Sequence, residues 1–303
     1  MHWKSLVALS AAVPLLVAAA QPVRMQPSSR WVLDYGDDSC RLLRTFGEGS
    51  DAIILSFESE APGSMDMLVV GRGLSSSKDA VDASFLPADA AVIKEGKPVL
   101  AHNGRPAILW SSVRLLPRAV AAAVDARSDQ AREHPELRPP SIPLAQKAIE
   151  KAAREATAAG TTEIRIETGR PMVLETGSLG EAIKMFDQCT RNSLRDWGVD
   201  PDLEDKIARP AWAVGPVRWI SADDYPVDMV MNNQESEVKA RLLVDASGRV
   251  TKCTSLSRYQ SAEFKKIVCD AFTKRAKVEP AELADGTKVP SYYNVHVHFR
   301  IEQ

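Results

Sequence analysis

The sequence predicts an α+β protein: a mostly β N-terminal domain with two helices, followed by a smaller domain in which a short antiparallel sheet packs on helices. Three features predict it. Apolar runs of strand length, each closed by turn residues, recur between Trp31 and Leu115. Two runs of helix-forming residues follow, between 144 and 197. The last part then reads strand, strand, helix, strand. With 303 residues and 45% hydrophobic content, the chain can bury two ordinary cores. Its 38 lysines and arginines nearly balance 40 aspartates and glutamates, for a formal charge of −2. That balance supplies no field for nucleic acid or an anionic membrane, and neither is expected as a partner.

Residues 1–20 carry an address. Lys4 gives a positive start, an apolar run extends from Leu6 to Ala20, and Ala18-Ala19-Ala20 supplies the small side chains of a cleavage site before Gln21. The run is shorter than the roughly 20 apolar residues of a spanning helix, and Pro14 interrupts it. A cleaved signal peptide and a periplasmic protein are therefore expected, in preference to a retained inner-membrane anchor. Export exposes Cys40, Cys189, Cys253 and Cys269 to an oxidising compartment, where an even number permits full pairing. No C-x-x-C is present, so neither a thioredoxin-type redox site nor a zinc ribbon is signalled.

The N-terminal domain is assigned to 21–198. Trp31 to Tyr35 reads as a strand, Gly36-Asp37-Asp38-Ser39 as a turn, and Cys40 to Arg44 as the returning strand. Ala52 to Phe57 and Met65 to Gly71 repeat the rhythm, and Asn103-Gly104 marks a hairpin between Pro98–His102 and Pro106–Leu115. Glu133 to Pro143, rich in proline and charge, reads as an exposed connection. Leu144 to Ala159 is a helix stopped by Gly160, and Glu163–Glu167 and Pro171–Leu174 are strands. Ser178 and Glu181 have the spacing of a capping box for a second helix, which carries Ala182, Ile183, Phe186, Cys189 and Leu194 on one face. That face can bring Cys189 to the early strand holding Cys40, and a disulfide is expected there. Residues 199–218 show no sustained period and read as a linker or packed connection.

In the C-terminal domain, 219–303, Val238, Ala240, Leu242 and Val244 alternate with Lys239 and Arg241, as in a half-buried strand. Ala246-Ser247-Gly248 turns the chain into a partner strand, Arg249 to Leu256. Ser261 can cap a helix with Phe264, Ile267, Val268, Ala271 and Phe272 on one face, and Lys274, Arg275 and Lys277 suit its negative end. The last strand alternates Val295, Val297, Phe299 and Ile301 with His296, His298 and Arg300. Cys253 and Cys269 fall on the second strand and the helix, and are expected to pair; two separately buried thiols are the alternative.

These residues also carry a resemblance. Tyr225-Pro226, the run from Val238 to Asp245 with Ala246-Ser247-Gly248-Arg249-Val250, the sequence Val278-Glu279-Pro280-Ala281, and Asp285-Gly286 before the closing strand together resemble the TonB C-terminal domain. The resemblance implies a short sheet backed by helices. It also implies a partner bound by strand addition: the TonB box of an outer-membrane transporter, or a segment of another envelope protein. The positions implied to bind it are Tyr225, Pro226, Asn294, Val295, His296, Val297, His298, Phe299 and Arg300, and a homodimer is a further option. The chain departs from energy-coupling TonB proteins. Its apolar run from Leu6 to Ala20 has no histidine, and no long Pro-rich spacer is present. The stretch Glu133 to Pro143 would span only roughly 30 Å at about 3.1 Å per residue. Direct coupling to an inner-membrane motor is therefore not expected.

Catalytic signals are few. G-x-S-x-G and H-E-x-x-H are absent, Gly47-Glu48-Gly49 lacks a third phosphate-loop glycine, and the S-x-x-K from Ser75 to Lys78 has no companion motifs. Asp37-Asp38 and Asp223-Asp224 fit turns. His296 and His298 have a spacing that metals use, but an outward polar strand face explains the pair without a ligand. No catalytic residue, cofactor or metal is assigned. The rival reading is an exported enzyme with a catalytic N-terminal domain and the C-terminal domain as a tether.

Overall fold

A computed structural model describes residues 21–301 except 37–38, 75–78, 91, 102, 135–136 and 257–261. The leader, the S-x-x-K segment, Asp37-Asp38, His102 and the capping Ser261 lie outside the described residues. In the first domain eight strands come first: β1 (Val23–Met25), β2 (Val32–Tyr35), β3 (Cys40–Phe46), β4 (Ile53–Ser59), β5 (Asp66–Val70), β6 (Val81–Leu86), β7 (Ile93–Leu100) and β8 (Pro106–Trp110). Helices α1 (Arg118–Glu133) and α2 (Leu144–Gly160), strands β9 (Glu163–Ile166) and β10 (Met172–Leu174), and helix α3 (Gly180–Asp196) complete it.

All ten strands form one sheet, in the order β1-β10-β9-β6-β7-β8-β5-β4-β3-β2. The sheet curls until one segment joins its first strands to β3, the strand next to its other end. Val23–Met25 pairs with β10, and the next residues reach β3, where Ser28 N donates to Thr45 O at 2.9 Å and Gly47 N to Gln26 O at 2.9 Å. Strand alternation explains the filling: Val81, Ala83 and Phe85 of β6, and Leu42 and Phe46 of β3, point into the core. Helix α3 lays Ile183, Phe186 and Cys189 on that core, and the Cys40–Cys189 disulfide fastens it to β3.

Two local expectations change. The Ser178–Glu181 capping box does not form. Ser178 Oγ donates to Ala159 O at 3.0 Å, accepts from Gly180 N at 3.3 Å, and the helix starts at Gly180. Ser178 thus ties the end of α2 to the start of α3, which places it outside the N-cap position. The second change is α1, a helix the sequence did not mark. Its run Arg118–Glu133 is rich in alanine and charge and buries little, with Ala121 at 3% exposure as its inward contact. A helix without an apolar stripe leaves no periodic signal.

The second domain follows through α4 (Pro201–Glu204), β11 (Ile207–Arg209), β12 (Trp212–Ala213), α5 (Val227–Met231), β13 (Ser236–Val244), β14 (Val250–Ser255) and α6 (Ala262–Arg275). It ends in β15 (Val278–Glu279), β16 (Ala281–Leu283), β17 (Lys288–Val289) and β18 (Ser291–Phe299). Within 199–218, β11 pairs with β16 and β12 with β15, so this stretch is packed on the end of the chain. The described residues of 133–143 are mostly exposed, yet Arg138 reaches across to Glu282 Oε1 at 2.7 Å and Pro280 O at 2.6 Å. The main sheet of this domain runs β14-β13-β18, with α6 on one face. Cys253–Cys269 joins β14 to α6. No helix among the described residues is long and apolar enough to cross a membrane.

The other face of β13 is not the water-facing surface its alternation suggested. Arg241 is 2% exposed. Its guanidinium lies 3.2 Å from the centroid of the Trp197 ring at the end of α3, and donates to Glu60 O at 2.5 Å. Beside it Lys239 Nζ approaches Glu60 at 3.6 Å and Asp66 at 3.3 Å. Tyr292, in β18, sets its ring edge-on to Trp197 at 5.7 Å. The first domain therefore covers one end of this sheet face.

Candidate partner-docking edge

The hairpin that sets up the sheet is built by Asp245 and Gly248. The Asp245 carboxylate accepts from Ser247 N at 2.8 Å and Arg249 N at 3.1 Å, and from the Ser247 hydroxyl at 2.6 Å. These bonds, the serine hydroxyl first, hold its carboxyl well below the usual carboxylate range. Gly248 has φ +86°, and a Cβ there would meet Val278 O at 2.2 Å, so a side chain is excluded twice over. The Val-Asp-x-x-Gly-x-Val pattern is a turn plus a close approach. Asp285-Gly286 repeats the chemistry before β17, with Thr287 N donating to Asp285 Oδ1 at 2.9 Å and Gly286 at φ +85°.

β18 pairs along its full nine residues with β13, from Ser236↔Phe299 to Val244↔Ser291 without a bulge. On the other side of β13, Lys239 O accepts from Leu256 N at 2.9 Å, so odd residues of β13 face β14 and even ones face β18. Alternation then fixes the rest. Tyr293, Val295 and Val297 spend their backbone groups on β13, while Tyr292, Asn294, His296 and His298 turn theirs outward. Among the described residues no strand pairs with that outer edge.

The side chains of β18 divide by face. Tyr293, Val295, Val297 and Phe299 pack on the α6 side. There Trp219 meets Tyr293 at 6.1 Å, and Tyr225 meets Phe299 at 5.2 Å. Asp224, in the segment between them, bonds back to Ser221 and holds Arg275 at 2.7 Å, anchoring this wall to α6. On the opposite face His296 and His298 are about half exposed, with their Nδ1 atoms 3.9 and 3.8 Å from Glu237. Asn294, opposite Arg241, has a buried Oδ1 without a hydrogen-bond partner. Arg300, just past the strand, pairs with Glu235 at 2.8 Å.

The nine positions implied by the resemblance thus fall into two groups. Asn294 to Arg300 form a continuous stretch that ends just past the open edge. Tyr225 and the buried Pro226 flank it, with Tyr225 donating to Gln234 O at 2.7 Å and bracing Phe299. Sequence reasoning missed the groups behind the edge, Trp197, Glu60 and Asp66, because they belong to the other domain. Burial raises the Glu60 carboxyl, against the pull of Lys239. Burial also works against the Lys239 charge, but Glu60 and Asp66 outweigh it and raise its ammonium. Among the described residues no cluster of three or more His, Cys, Asp or Glu is placed to hold a metal ion.

Two open edges in the first domain are blunted. The outer half of β7, Lys97 to Leu100, pairs with β8 alone. Because Ala101 N donates to Arg105 O at 2.9 Å, alternation places Pro98 with its missing N–H on the open side, where no strand can be added. β2 offers only four residues. β18 contains no proline.

Residues 221–301 match the family model described as Gram-negative bacterial TonB protein C-terminal. A search of curated proteins finds none that matches the chain. The last domain is therefore of TonB C-terminal type, and the first domain stands outside the match.

Proposed function

We propose that this chain is a periplasmic interaction protein of the Gram-negative envelope that works by binding, not catalysis. Its C-terminal domain receives an extended segment of a partner on the outer edge of β18, as the TonB box of an outer-membrane transporter is received by TonB. The observation that carries the reading is the edge itself: nine residues without proline or bulge, four of them turning backbone groups outward. Main-chain hydrogen bonds would supply affinity and alternate side chains selectivity. Both disulfides suit an oxidising compartment.

The test compares the full chain with a His296→Pro variant for binding to immobilised TonB-box peptides. Proline at 296 removes one outward N–H and leaves the β13 ladder intact, as Pro98 does naturally in β7. Binding by the parent, lost in a variant that still melts cooperatively, is the expected result. No binding by the parent, while a control TonB domain binds, would count against transporter docking.

A further inference from the structure

We infer that the segment received by β18 alternates apolar side chains with carboxylates, the carboxylates facing His296 and His298, so that docking strengthens as His296 protonates. This rests on the strand-docking reading above. The argument starts from the two faces an added strand would meet. On the α6 side its neighbours are Tyr293, Val295 and Val297, all partly buried in the domain's core, with Trp219 and Tyr225 as the wall. That side takes apolar side chains. On the other side the outermost row is Asn294, His296, His298 and Arg300, and β18 holds no acidic residue.

The carboxylates near this row are set behind it. Glu237 lies across the strand pair, at 3.9 Å from His296 and 3.8 Å from His298, so one carboxylate serves two imidazoles at long range. Glu235 holds Arg300 at 2.8 Å. Glu60 and Asp66 hold Lys239. An incoming carboxylate would add an acidic group beside two histidines that share Glu237. The groups facing His296 are Lys239 and Glu237 from β13, Asp66 from the first domain, and His298 on its own strand. Burial first, then Lys239, holds its imidazole below the ordinary histidine value, against Glu237 and Asp66. A partner carboxylate reverses that balance, and protonation is drawn in with the ligand.

The same row argues against a second copy as occupant. In an antiparallel pair of copies centred on His298, His296 of each copy would lie opposite Arg300 of the other, and protonation of His296 would add repulsion.

The experiment pans a phage-displayed library on the immobilised full chain. The library holds nine-residue segments, matched to β18, with Val, Ile, Leu or Phe at alternate positions and every residue type at the others. Selections run at about pH 5.5 and about pH 8, either side of the histidine range. Asp and Glu should be enriched at the open positions in the acid selection, and lose that enrichment at the higher pH and on a His296→Gln/His298→Gln variant. Replacing the selected carboxylate by its amide should weaken acid binding about tenfold, the change expected of one charge-assisted pair. Segments that bind, lose binding with His296→Pro, and show no acidic enrichment would overturn the inference and leave strand docking standing. Failure to recover any segment, or recovery of segments indifferent to His296→Pro, would overturn both.

Discussion

Arg241 shows how one side chain can couple two domains. It is buried, stacked on Trp197 and bonded to the Glu60 carbonyl, so truncation would remove a cation–π contact and strand a buried acceptor. Arg241→Ala should cost about 3 kcal/mol in urea unfolding. Arg241→Lys should recover little of it, because a lysine cannot stack a planar fork on the ring. Glu204 presents the opposite case. Burial raises its carboxyl, while Lys147 and the hydroxyls of Ser291 and Tyr292 pull it down. A carboxyl raised on folding binds protons that the unfolded chain does not hold, so stability falls as pH rises from the ordinary carboxylate value through the raised one. Glu204→Gln should flatten that fall, with the variant gaining on the parent toward neutral pH in a series of urea melts.

Strands and helices with one wet face were legible in the sequence. β13 and β18 announce themselves by period-two alternation, and α3 by its apolar stripe. What alternation cannot tell is what covers the polar face. Lys239 and Arg241 read the same whether water or another domain lies over them. Nor does it report neighbours: that β18 is an edge follows only from the order β14-β13-β18. The cysteine pairs were readable because each joined a strand to a helix face. Cys253–Cys269 closes a short loop, 16 residues apart. Replacing both with serine should cost about 3 kcal/mol in denaturant unfolding. The Cys40–Cys189 pair, 149 apart, should cost more, up to about 5 kcal/mol by the same chain-entropy argument. A larger loss from the short loop than from the long one would contradict the entropic origin.

Taken together, the two domains make a mounted edge. The curled sheet of the first domain, fastened through α3 and Trp197, presses on the inner end of the C-terminal sheet through Arg241 and Tyr292. Among the described residues no strand pairs with the outer end, from Asn294 to Phe299, beside the Trp219–Tyr225 wall. The arrangement departs from a TonB domain on a long spacer and explains why 199–218 does not behave as a tether: its strands are paired with β15 and β16. The most direct measurement is site-specific photocrosslinking in the periplasm, with a benzophenone side chain placed in turn at His296, His298 and Thr251, the last on the opposite edge strand β14. Adducts to one extended segment of an envelope protein from 296 and 298, absent from 251, and lost from 298 when His296→Pro is added, are expected. The same adduct from Thr251, or adducts from 298 that survive the edge proline, would show that β18 is not where the partner binds.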